Sequence, residues 1–126
     1  MSLVKGAFQM RPLRIAMNSL LEEMLECRSI DACIELALTD AWGDEEQAVA
    51  WLTCIEEMFG RFKQVEVMGR QVTLAGFDLA QGRAVVVICK EGKNSARVAL
   101  ESVNFHGMTP AELRWLKAWR KYSKTA

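Results

Sequence analysis

Apolar positions recur every three or four residues up to about Phe62, switch to a two-residue rhythm at about Gln64, and return to the longer period after Gly107. A period near 3.6 belongs to an amphipathic helix and strict alternation to a half-buried strand. The pattern predicts helices, then a small sheet, then a helix.

Arg11 to Glu26 carries Leu13, Met17, Leu20, Leu21 and Met24 on one stripe, with Pro12 in the first turn, where its missing N–H costs nothing. A break at Arg28–Ser29 lets Ser29 cap a second helix with Ile30, Cys33, Ile34, Ala37 and Leu38 on one side, ended by Trp42–Gly43. Asp44 is placed to cap a third helix, with Gln47 completing a capping box. That helix runs to about Arg61, with Ala48, Leu52, Ile55, Phe59 and Phe62 turned inward and Trp51 and Met58 widening the stripe.

In the middle region Val65 and Val67 flank Glu66, Gly69–Arg70 bends the chain, and Val72 and Leu74 resume the alternation. Gly76 falls inside this strand and marks a bulge or sharp bend. After Gln81–Gly82, the run Val85-Val86-Val87-Ile88-Cys89 within Ala84–Lys90 is apolar on both faces and reads as a central strand. Glu91-Gly92-Lys93-Asn94 reads as a hairpin turn, after which Ala96, Val98 and Leu100 alternate with Arg97 and Glu101. Thr109-Pro110-Ala111-Glu112 has the residues of a capping box and opens a helix to about Ser123, expected to pack back through Trp115, Leu116 and Trp119.

Together these elements predict one α+β domain over 1–126. Two or three N-terminal helices occupy 11–61, a four- or five-stranded SH3-like antiparallel β-barrel or strongly curled sheet occupies 64–105, and a C-terminal helix occupies 109–123. A small sheet of this kind usually binds rather than catalyses, and no catalytic signature lies on it. His106 is the one histidine, and Ser95, Ser102 and the cysteines have no recognisable base partner in the sequence, so a non-enzymatic binding module is expected.

Composition narrows the classes. The chain has 126 residues, 51% of them hydrophobic, enough for a real core. Its formal charge is zero, so no global field draws it to nucleic acid or a membrane. No apolar run approaches the roughly 20 residues of a membrane span, and no N-terminal segment has the apolar centre of a signal peptide. Met1–Leu3 fits an expression scar and Met10 a native start. Cys27, Cys33, Cys54 and Cys89 form no paired spacing of the kind that binds zinc. They read as buried, reduced thiols in a cytosolic protein.

Several residues are ordered as in a small bacterial family. These are the aromatic helix Trp51 to Phe59, Phe62 and Val65, Val67, Gly69, Gly76-Phe77-Asp78, the strand Val85 to Cys89, Arg97-Val98-Ala99-Leu100, and Trp119 in the closing helix. Over about 42–122 the chain resembles the cyanobacterial-type calcium-binding proteins. The resemblance implies helices around a small SH3- or Sm-like barrel, and calcium as ligand. Asp78, Glu91 and Glu101 are then the candidate ligands, Asp78 being the one acidic residue among the matched positions. Family members are strongly acidic, whereas this chain is neutral. Calcium prefers roughly six to eight oxygens, and no D-x-D-x-D-G loop supplies them. Asp40, Asp44, Glu45 and Glu46 form the dense acidic cluster, which capping and the helix dipole account for.

Two other partners fit the pattern. Arg114, Lys117, Lys121 and Lys124 make a basic stripe on the last helix with Arg120 at its edge, near Trp115, Trp119 and Tyr122, a combination that can hold RNA by phosphate contact and stacking. The alternative is that the cations complement the helix dipole and the aromatics are core. Four Trp and seven Met also allow an exposed stripe on the N-terminal helices, to be covered by a partner helix or a second copy in a homodimer.

Overall fold

The computed structural model describes residues 13–81 and 83–125. The readings at Arg11, Pro12, Met1–Leu3 and Met10 fall outside these residues. Helix α1 spans Leu13–Glu26, α2 Ile30–Ala37, α3 Asp44–Phe59 and α4 Pro110–Thr125. Strands β1 (Gln64–Val67), β2 (Arg70–Leu79), β3 (Val85–Glu91) and β4 (Asn94–Ala99) form one antiparallel sheet in the order β1-β2-β3-β4. The α+β architecture with a C-terminal helix matches the reading from periodicity.

The helix boundaries follow local chemistry. Ser29 caps α2, its hydroxyl accepting from the Ala32 N–H at 3.0 Å. In α4, Thr109 Oγ1 accepts from the Glu112 N–H at 3.1 Å while the Glu112 carboxylate accepts from the Thr109 N–H at 2.9 Å, a reciprocal capping box. The start of α3 differs from expectation. Gly43, not Asp44, is the cap residue, at φ 89 and with no side-chain cap bond; Asp44, Glu45 and Glu46 fill the first turn and stabilise it through the dipole. Helix α2 also stops early, at Ala37, because the chain turns left-handed at Asp40, φ 62, before reaching Trp42.

The strands are joined by two-residue hairpins. Met68 and Gly69 link β1 to β2 with φ 52 and 82, the pair of positive values a type I′ turn requires. Gly92 and Lys93 link β3 to β4, with φ 62 at Gly92, the position where glycine favours a type II′ turn. Between Leu74 and Gly76 the register of β2 against β3 slips by one residue, which leaves Ala75 unpaired and confirms the bulge.

The sheet is open rather than closed into a barrel. After β4 the chain makes a 3-10 turn, Leu100–Ser102, where further strand was expected, and then crosses to β1. It touches that edge at one bridge: the Glu66 N–H donates to Asn104 O at 3.0 Å and the Asn104 N–H to Glu66 O at 2.9 Å. The 3-10 turn puts Leu100 and Val103 three residues apart on one side, and both are buried.

The core lies between the helices and one face of the sheet. Met24, Cys33, Trp51, Ile55, Phe59, Val65, Val85, Val87, Leu100 and Trp115 are almost wholly buried in one cluster. Each fully buried large apolar chain contributes roughly 1.5–3 kcal/mol relative to exposure. Trp51 meets Trp115 and Trp119 edge-on, at centroid distances of 6.0 and 5.5 Å. Helix α4 is tied back by Trp115, whose Nε1–H donates to Met24 O at 2.9 Å. Val86 is also buried, on the opposite face of β3. Arg97 sits opposite Ile88 and reaches Leu79 O at 2.9 Å and Asp78 at 3.1 Å, so its stem crosses β3 there.

Candidate functional site

Residues paired across antiparallel strands share a face. The register therefore places Val67, Val72, Cys89, Ala96 and Val98 on the same face as the buried Val65, Val85 and Val87. At the hairpin end the apolar face remains open as a cleft of about 230 Å³. Cys89 is buried at its floor, while Val67, Val72 and Val98 are half-buried along its sides.

Two features set its character. Met68 at the lip is 93% exposed, held out by the left-handed turn that β1 and β2 share. The rim is polar: Arg70 and Glu91 are bonded at 2.6 Å, with Lys90, Asn94 and Ser95 beside them. Both partners of the Arg70–Glu91 pair are well exposed, so it shapes the rim more than it stabilises the fold. Burial pushes the Cys89 thiol pKa up from its ordinary value.

The outer edge of β4 borders this cleft. β4 ends the strand order, and among the described residues no strand pairs with its far side. Its residues are exposed apart from the half-buried Val98. Edge strands of this kind present a row of unpaired backbone donors and acceptors. The opposite edge, β1, is blunted at Glu66 by Asn104.

The three carboxylates considered for calcium are not brought together. Asp78 lies opposite Val86, and Glu91 is five positions farther along β3 on the other face, some 17 Å by strand rise. Asp78 is paired with Arg97, Glu91 with Arg70, and Glu101 accepts from Trp119 Nε1 at 3.2 Å. Among the described residues no group of three His, Cys, Asp or Glu side chains is placed to hold a metal ion.

The basic stripe of α4 is divided by packing. Arg114 donates to Cys27 O at 2.7 Å, where α1 ends, and Lys121 meets Asp31 of α2 at 2.6 Å. Lys117 and Arg120 face solvent, whereas Trp115 and Trp119 are core, so neither ring is available to stack on a base. His106 Nε2 lies 2.6 Å from the Glu66 carboxylate, away from the cleft residues. Among the described residues no helix is long and apolar enough to cross a membrane.

The sequence reading missed the cleft. Val67, Val72 and Val98 have the alternation of ordinary inward positions, and only the extent of helix cover decides which are left open. One signal was present: Met68-Gly69, an apolar side chain in a two-residue turn. Compared with known protein families, characterised proteins and solved structures, the chain matches none.

Proposed function

We propose that this protein is a small, non-enzymatic binding module that takes an extended peptide segment at the open end of its sheet. One observation carries the reading: an apolar cleft lies directly beside the edge of β4 that no strand among the described residues pairs with. A segment added along β4 would satisfy that edge with backbone hydrogen bonds and lower alternate side chains onto Val72, Cys89 and Val98. At about 230 Å³ the cleft is smaller than the roughly 300–1,000 Å³ of most small-molecule sites, which favours one or two side chains over a cofactor. Arg70 and Lys90 at the rim outnumber Glu91, which favours acidic residues beside the apolar anchors.

The probe is a fluorescein-labelled peptide of seven residues alternating Val or Leu with Asp or Glu. Anisotropy should show saturable binding with a dissociation constant on the order of 10–100 µM, in keeping with a small contact area. N-methylation of alternate peptide nitrogens should abolish binding, and Val98→Glu should weaken it about tenfold. Binding that survives both changes would sink the reading, as would a flat titration.

A further inference from the structure

The zero net charge conceals a division. Eleven of the sixteen carboxylates lie between Glu22 and Glu57, where Arg28 is the one basic residue; twelve of the sixteen Lys and Arg lie between Arg61 and Lys124. The stretch from the last turns of α1 through α3 is thus strongly acidic. Trp42 stands at the corner between α2 and α3, and it is 80% exposed while Trp51, Trp115 and Trp119 are buried.

The corner is braced from both sides. The Ala41 N–H donates to Leu38 O at 3.0 Å, and the Trp42 N–H donates to the Glu46 carboxylate at 2.7 Å. Asp40 and Gly43 take left-handed backbone values on either side. The indole is therefore presented by a fixed turn. Beside it runs an open groove of about 400 Å³, floored by Ala41, Val49 and Ala50 and edged by Asp40, Glu45 and Glu46. Val49 is 54% exposed, so the apolar strip continues along α3 from the indole. Exposed aromatic anchors on a rigid frame are the usual centres of protein interfaces.

We infer that the Trp42 corner is a docking surface for a basic amphipathic segment of another protein, one with Lys or Arg flanking an apolar anchor. Charge complementarity selects this occupant: three carboxylates border the groove, so nucleic acid and acidic peptides are repelled and a cationic segment is drawn in. The surface is separate from the sheet cleft and takes a partner of opposite charge.

The test uses an 18-residue Lys/Leu amphipathic peptide and the intrinsic tryptophan emission of the full chain, in which Trp42 is the exposed indole. The inference expects a saturable blue shift. Affinity should fall several-fold between about 50 and 500 mM salt, and Trp42→Ala or Glu45→Lys should weaken binding about tenfold, followed by anisotropy of the labelled peptide. A Glu/Leu peptide should not bind. Circular dichroism checks that the variants are folded, and Val49→Lys is a second variant on an exposed helical position. Binding that ignores both Trp42→Ala and Val49→Lys would overturn the inference, as would no saturable shift. Self-association of the protein alone that Trp42→Ala abolishes would overturn it too, giving the surface to a second copy.

Discussion

Arg61 and Glu112 are joined by two parallel hydrogen bonds, Nε to Oε2 at 2.7 Å and a terminal guanidinium nitrogen to Oε1 at 2.8 Å. The same carboxylate closes the capping box of α4, and the same guanidinium reaches Gly107 O at 3.0 Å. One pair thus fastens the end of α3 to the start of α4, with Glu112 buried at their junction.

Glu112→Ala should cost about 2 kcal/mol and lower Tm by roughly 5–10 °C, because it removes the carboxylate half of the capping box and the partner of Arg61. The hydrogen bond from Arg61 holds the Glu112 carboxyl below its usual range, overcoming the opposing effect of burial. A depressed folded pKa stabilises above the unfolded value, about 4.3, and that contribution is lost as pH falls through the folded value. The stability gap between the native protein and Glu112→Gln should therefore narrow below about pH 4. Urea melts at pH 7, 4 and 3 measure it; a gap that stays constant would contradict the assignment.

Trp115 and Trp51 should respond differently to replacement by Phe. Trp115 Nε1 donates to Met24 O, whereas Trp51 Nε1 is buried without a hydrogen-bond partner. Trp115→Phe breaks a bond that holds α1 against α4, and Trp51→Phe breaks none. The Trp115 variant should be the less stable of the two by about 1 kcal/mol in urea denaturation. Equal losses would mean that packing alone sets the cost.

Met68→Asn separates stability from binding. Asn tolerates the left-handed turn better than Met, so the variant should gain roughly 0.5–1 kcal/mol. It also removes the apolar lip of the cleft, so affinity for the acidic strand peptide should fall about threefold or more. A variant that binds as well as the native protein would exclude Met68 from the site.

Burial pushes the thiols of Cys33 and Cys54 up from 9.0 to about 12. In the unfolded chain they ionise near their ordinary value, so the unfolded state gains as pH rises past about 8.5, and stability falls from there upward. The double variant Cys33→Ala/Cys54→Ala should lose less stability between pH 8 and 10 than the native protein. Parallel declines in urea midpoint would refute the claim.

The scaffold was legible because side-chain period tracks backbone form. Gln64 begins β1 where the rhythm changes, Val85–Glu91 is the central strand, and Thr109 caps α4 as its neighbours imply. Three acidic residues in a row hid the true cap of α3 by one position, since any of Gly43, Asp44 or Glu45 could start a helix there. The barrel stayed open because Leu100–Ser102 turned instead of pairing. The ligand reading depended on register and packing, which one-dimensional spacing does not carry. Asp78 and Glu91 fall on opposite faces of the sheet, and Arg114 and Lys121 turn out to hold α1 and α2.

Amide hydrogen exchange with and without the acidic strand peptide tests the binding account most directly. The outward-facing amides of Asn94–Ala99 should slow on addition of the peptide by at least about tenfold at saturation, with slower exchange also in the Met68–Gly69 turn. Unchanged exchange along Asn94–Ala99 while the peptide is bound would contradict strand addition at this edge.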